Sequence, residues 1–198
     1  MGRRAASWPP ARVSTPVLTV ANQLTILRMA LTPVLVVLVL SRELRWALAV
    51  FVVAGVTDLL DGLIARWGKQ RTTLGAMLDP VADKLLLASS YVVLTWGGGL
   101  TTRIPLWLTV TTLSRDAIIF VSVVVINLSL GRRVFYPSWL GKLATLCQVL
   151  TAGVVLLLNA LGAELPGVAH LFRLTLLITV ASALHYVYLA SASAGQEP

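Results

Sequence analysis

Apolar runs about twenty residues long recur along this chain, and a run of that length fits few environments other than the hydrocarbon core of a bilayer. They predict six membrane helices, at roughly 22–40, 44–66, 74–96, 104–130, 138–161 and 168–191. Gly97-Gly98-Gly99 marks a helix stop after the third. Of 198 residues, 57% are hydrophobic and 12% charged, half the roughly 25% charged share of a soluble chain. The expected fold is therefore all-α, a polytopic membrane helix bundle forming one transmembrane domain over 21–193. A basic, proline-containing segment (1–20) precedes it, cytoplasmic or interfacial, and a short tail (194–198) comes after it. Arg3 and Arg4 suggest a signal peptide. However, Asn22 and Arg28 break the stretch beyond them, and the apolar run over 31–40 leads to no small-residue cleavage site, so a cleaved signal is not expected.

Charge distribution fixes an expected orientation. The net charge of +8 would suit nucleic acid in a soluble chain; here it suits loops beside anionic lipid headgroups, and no nucleic-acid partner is expected. With alternating helices, Arg3, Arg4, Arg12, Arg66, Lys69, Arg71, Arg132, Arg133 and Lys142 share one side. Arg42, Arg45 and Arg103, with Arg173 nearby, take the other. The excess places both termini in the cytoplasm. Trp46, Trp96, Trp107 and Trp139 fall near helix ends and read as interfacial anchors. The single cysteine, Cys147, forms no internal disulfide. His170 and His185 have no partner at metal-ligand spacing and read as packing or interfacial residues.

Against this background the acidic residues stand out. The chain has eight, and Asp58, Asp61, Asp79 and Asp83 fall within one stretch of it. At about 2.5–3.5 kcal/mol each near a membrane helix centre, four aspartates would cost on the order of 10 kcal/mol. Asp58 and Asp61 share a face of the second helix; Gly75, Asp79 and Asp83, spaced by four, form a stripe on the third. The loop over 67–74 is short enough to keep the two helices antiparallel and adjacent, bringing the four carboxylates into one pocket. Gly62 and Gly75 allow close approach there. Unpaired, the cluster would repel itself. Divalent cations such as Mg²⁺ or Mn²⁺ accept these oxygens and leave room for phosphate oxygens, and a two-metal site suits displacement at phosphorus. The alternative is an ion-paired bundle in which Arg66 and Lys84 neutralise part of the charge.

Asp58, Asp61, Gly62, Ala65, Arg66, Gly75, Asp79 and Asp83 spell D-x2-D-G-x2-A-R-x8-G-x3-D-x3-D, which resembles the signature of the CDP-alcohol phosphatidyltransferases. Asn22, Thr25 and Arg28 resemble that family's first-helix N-x2-T-x2-R pattern. Gly141, Lys142, Thr145 and Gln148 resemble a later pattern of its phosphatidylglycerophosphate synthase and cardiolipin synthase branches. The resemblance implies transfer of a phosphatidyl group from CDP-diacylglycerol to a polar alcohol acceptor, with CMP released. It implies two metals held by Asp58, Asp61 and Asp79, with Asp83 sharing one and acting as general base. Asn22, Thr25, Gly62, Ala65, Arg66 and Gly75 would line the cytidine diphosphate site, and a homodimer is expected.

For the acceptor, Arg115 and Lys142 are the candidate ligands, with Arg132 and Arg133 on a basic rim. That rim suits glycerol 3-phosphate, the first expectation. The Arg115-Asp116 pair, with Val123 where phosphatidylglycerophosphate synthases often carry a second arginine, instead resembles the cardiolipin synthases, which use phosphatidylglycerol. Arg115 and Asp116 point about 100° apart, so each should have a further partner. Arg28 reads equally as a snorkelling lipid anchor or a pocket residue. Outside this family, a divalent-metal transporter would also use four membrane aspartates, but leaves the Gly62, Ala65, Arg66 and Gly75 spacing unexplained.

Overall fold

The computed structural model describes residues 20–68, 73–129 and 139–194, with side chains described for 23–58, 81–122 and 139–188. These residues form six helices: α1 (Val20–Leu40), α2 (Leu44–Gly68), α3 (Thr73–Trp96), α4 (Leu106–Ser129), α5 (Trp139–Leu161) and α6 (Val168–Ala194). The shortest has 21 residues, so at about 1.5 Å per residue each can cross a hydrocarbon core of roughly 30 Å. By length and hydropathy of the described residues, Gln23–Leu40, Trp139–Leu161 and Val168–Tyr188 qualify as membrane spans on their own. The other three helices are equally long but carry the charged residues Asp58, Asp83, Lys84, Arg115 and Asp116.

Helix ends are set by local chemistry. After α1, Ser41 N–H donates to Val37 O at 2.8 Å and Glu43 N–H to Leu38 O at 2.9 Å. Arg42 takes the left-handed conformation between them, at φ 63°. After α3, Gly97 N–H donates to Val93 O at 2.7 Å and Gly99 turns the chain at φ 74°. A Cβ on Gly99 would lie 2.5 Å from Arg42 Cζ, so the two turns are packed against each other. At the end of α5, Gly162 sits at φ 63° and Ala163 N–H returns to Leu158 O at 2.9 Å, closing the helix with a left-handed cap. Asn159 fastens this end to the α3–α4 connection. It donates to Thr102 O and Val155 O, both at 2.7 Å, and accepts from Thr102 N–H at 3.2 Å.

The packing order differs from an isolated α2–α3 hairpin. α1 packs against both α2 and α3, α5 packs on the same two helices from elsewhere, and α4 and α6 close the bundle against α3 and α5. Ala47 and Ala54 on α2 and Ala152 on α5 are fully buried, and such small residues let helices approach closely in lipid. Leu35, Val39, Phe51, Tyr91, Leu94, Leu108, Val155 and Leu156 fill the space between.

Outside, the distribution is that of a protein dissolved in lipid. Val34, Val37, Val52, Phe120, Leu150, Leu174, Leu177 and Leu184 are exposed, whereas Thr109, Gln148, Thr151, Thr175, Thr179 and Ser182 are buried. Buried hydroxyls close back on their own helices, as Ser90 does onto Leu86 O at 2.7 Å and Thr151 onto Cys147 O at 2.8 Å. Trp46, Trp96, Trp107 and Trp139 all stand exposed at helix ends. This is the architecture of a multi-pass membrane protein.

Candidate active site

The site is assembled at one depth of the bundle by three helices. Arg28 lies eight residues into α1, Asp83 ten into α3, and Asp58 ten before the end of α2. At about 1.5 Å per residue all three stand roughly 12–15 Å from the same end. Arg28 is 1% exposed, so it is no snorkelling lipid anchor. Its Nη2 lies 3.1 Å from Asp58 Oδ1, and its Nη1 donates to Asp83 Oδ1. One guanidinium thus bridges carboxylates from the two aspartate helices. α1 supplies the element that ties them, a role the hairpin expectation had left to the α2–α3 loop.

Burial gives the site a direction. The guanidinium is sealed, yet the side chains of Asp58 and Asp83 are 48% and 43% exposed. Arg28 lies deep, and the two carboxylates are its half-exposed partners. Thr25, one turn before Arg28, is buried beside it. Of the other expected site residues, Asp61, Gly62, Ala65 and Arg66 lie on the last turns of α2, and Gly75 and Asp79 on the first turns of α3. Their side chains, with that of Asn22, lie outside the described residues, as do residues 69–72, Arg132, Arg133 and the segments 1–19 and 195–198. Backbone alone places those α2 and α3 positions on the same end of the bundle as Asp58 and Asp83.

A second charged group crosses the bundle at similar depth. Lys84 Nζ lies 2.6 Å from Asp116 Oδ2, so it serves α4 and not the aspartate cluster it was a candidate to neutralise. Arg115 Nη1 donates to Asp116 Oδ1 at 2.8 Å, and Arg115 Nη2 to Ser182 Oγ at 2.8 Å. The neighbouring Arg115 and Asp116 are therefore partners despite their angular separation, and each has the further partner expected. Arg115 is 6% exposed, and its Nε has no partner among the described residues. The chain Lys84–Asp116–Arg115–Ser182 links α3, α4 and α6. Ser182 belongs to no motif; only its place on the buried face of α6 marks it.

The Gly141–Gln148 pattern divides in the structure. Lys142 is exposed near the start of α5, whereas Gln148 is fully buried and donates from Nε2 to Thr179 Oγ1 at 3.2 Å. Tyr91 Oη donates to Gln148 O at 3.1 Å, tying α3 to α5 behind the site. A cavity of about 420 Å³ lined by Arg42, Glu43, Arg45, Trp46 and Asn159 opens at the opposite end of the bundle, away from the aspartates.

Six helices, with two aspartate helices bridged by a buried cation, narrow the comparison. The family model for CDP-alcohol phosphatidyltransferases matches residues 18–189. The chain belongs to the CDP-alcohol phosphatidyltransferase family. Among curated relatives, human "Cardiolipin synthase (CMP-forming)" is 45% identical over 122 residues, 59% of this chain and 38% of the human protein. A Streptomyces coelicolor protein of the same name is 41% identical over 139 residues, 65% of this chain and 60% of that protein. The Mycobacterium tuberculosis "Probable phosphatidylglycerophosphate synthase" is 34% identical over 181 residues, 84% of this chain and 79% of that protein. The chain thus spans about two fifths of the human cardiolipin synthase and three fifths of the Streptomyces one. Members of the CDP-alcohol phosphatidyltransferase family are generally metal-dependent. Among the described side chains no group of three His, Cys, Asp or Glu forms; the side chains of Asp61 and Asp79 fall outside them.

Proposed function

We propose that this protein transfers a phosphatidyl group from CDP-diacylglycerol to phosphatidylglycerol, forming cardiolipin and releasing CMP. The observation that carries the transferase reading is the meeting of Asp58 and Asp83 from separate helices at one half-open site. The acceptor order reverses the first expectation of glycerol 3-phosphate. Relatives named cardiolipin synthase match at 45% and 41% identity, against 34% for the phosphatidylglycerophosphate synthase. Glycerol 3-phosphate stays as the second reading, since the relative bearing that activity in its name covers 84% of this chain.

The donor set fits divalent metals. Asp58 and Asp83 offer hard carboxylate oxygens that converge tightly enough to share one cation, a guanidinium here. Asp58, Asp61, Asp79 and Asp83 would hold two Mg²⁺ or Mn²⁺ ions, which supply charge stabilisation for the diphosphate of the donor. Asn22, Thr25, Gly62, Ala65, Arg66 and Gly75 bind the cytidine diphosphate portion. Asp83 accepts the proton of the acceptor hydroxyl as that oxygen forms its bond to the phosphorus bearing diacylglycerol. The bond from that phosphorus to the bridging oxygen breaks, and CMP leaves with the electron pair. Arg115 and Lys142 provide positive charge on the acceptor side. The reaction takes place at the cytoplasmic face of the inner membrane, with both termini on that side, in a homodimer.

The test is CMP release by the detergent-purified protein with CDP-diacylglycerol, Mg²⁺ and single acceptors. Release with phosphatidylglycerol, absent with glycerol 3-phosphate and lost in Asp83→Asn, is expected. Release with glycerol 3-phosphate alone would reverse the acceptor order. Full activity in Asp83→Asn would remove the base assignment.

A further inference from the structure

We infer that Arg28 is a built-in counter-ion of the metal-free site, which holds Asp58 and Asp83 together and yields them when divalent metal binds. The inference rests on the proposed use of these aspartates as metal ligands. Arg28 is the most deeply buried cation among the described residues, and two of its partners are aspartates of the signature. A buried arginine left alone would be strongly destabilising, and so would two facing carboxylates left without a cation. Each therefore stabilises the other when no metal is bound.

Geometry gives the competition. The carboxylate oxygens that contact Arg28 belong to side chains that are themselves about half exposed. A metal ion drawing on those oxygens meets a fixed positive charge one side chain away. In a site of reduced dielectric that charge opposes metal binding, so the affinity is set partly by Arg28. Thermodynamic linkage then requires that removing Arg28 harm the metal-free protein more than the metal-loaded one, and tighten metal binding by the same factor. A guanidinium freed from the carboxylates is also left beside the position where an anionic diphosphate would lie. Arg28 is thus a positioning residue whose partner changes with the loading of the site.

The experiment uses the full chain in detergent, stripped with EDTA, as wild type, Arg28→Gln and Arg28→Lys. Mn²⁺ affinity is read by electron paramagnetic resonance of the free ion, and thermal midpoints are taken in EDTA and in saturating Mg²⁺. In Arg28→Gln the Mn²⁺ dissociation constant should fall at least about tenfold, as expected for removing a cation at this range. The loss of thermal midpoint should be large in EDTA and mostly restored by Mg²⁺, with Arg28→Lys between the two. Should Arg28→Gln fail to fold without metal, its Mn²⁺ affinity is read by displacement of Mg²⁺ from the variant purified in saturating Mg²⁺. Unchanged or weaker Mn²⁺ binding, or an equal loss of midpoint with and without metal, would overturn the inference and leave Arg28 a structural residue. Absence of Mn²⁺ binding in the wild type, with Asp58→Asn and Asp83→Asn indistinguishable from it, would overturn the metal reading as well.

Discussion

Asp116 holds two cations of very different exposure, and this difference gives a prediction with a worked magnitude. The Lys84 side chain is 44% exposed, that of Arg115 7%, and that of Asp116 itself 17%. Replacing Lys84 by Met removes a pair whose cation is nearly half exposed, so the cost should be about 0–1 kcal/mol. Asp116→Leu leaves the Arg115 guanidinium sealed inside the bundle, with the neutral Ser182 hydroxyl as its remaining acceptor among the described residues. Loss of one partner of a buried pair costs roughly 3–5 kcal/mol. Arg115→Met together with Asp116→Leu removes both buried charges and should recover most of that loss, because apolar replacement of a buried pair is often near neutral. Unfolding in mixed detergent micelles, tracked by far-ultraviolet circular dichroism, gives the three free energies. The reasoning is refuted if Lys84→Met costs as much as Asp116→Leu, or if the double variant loses the sum of its singles. Lys84 directly succeeds Asp83 in the chain, so the same tie also fixes the rotation of α3 that presents the candidate base.

Two further outcomes separate the frame from the site. Asn159→Leu strands both the N–H and the C=O of Thr102 in a buried turn, and should cost about 2–4 kcal/mol by thermal or detergent unfolding. Because Asn159 stands at the far end from the aspartates, CMP release per folded molecule at low temperature should match wild type; a loss there would mean the ends are coupled. A Cβ on Gly97 would lie 2.5 Å from the backbone oxygen of Val93, whereas one on Gly98 meets nothing within 4 Å. Gly97→Ala should therefore destabilise by at least about 1 kcal/mol and Gly98→Ala by no more than about 0.5, measured in the same unfolding series.

Much of the fold was legible because lipid imposes a length on helices and turns punctuate them. Starts and stops such as Leu44, Trp96, Leu161 and Val168 lie where apolar runs meet Arg42, Gly97, Gly162 and Gly167. The order of packing was not legible. Short loops argue for sequential neighbours, yet α1 packs on both aspartate helices, because helices in lipid share one polarity pattern and sequence spacing does not rank their contacts. Lys84 shows the same limit. Its sequence position beside Asp83 suggested local neutralisation, but position 84 points about 100° from 83 around α3 and reaches α4 instead.

Arg28 makes the sharper case, since its two readings predict opposite faces of one helix. A snorkelling arginine eight residues into a membrane helix turns its stem to lipid and its head to the interface. A pocket arginine at the same position turns inward, and only the neighbours decide between them. Here the lipid-facing places on α1 are taken by Ile26, Leu27, Val34 and Val37, all exposed, while Thr25, Arg28, Thr32 and Leu35 are buried along the opposite stripe. The inward stripe of α1 is therefore largely polar at the end that carries the aspartates and apolar beyond Thr32, where Leu35 and Val39 enter the core. A helix built this way has a reason to lie between the two aspartate helices at one end and to pack as ordinary core at the other. The same asymmetry limits any ligand of the carboxylates to that end of the bundle, the end to which α2 delivers Asp61 and Arg66 and from which α3 departs with Gly75 and Asp79.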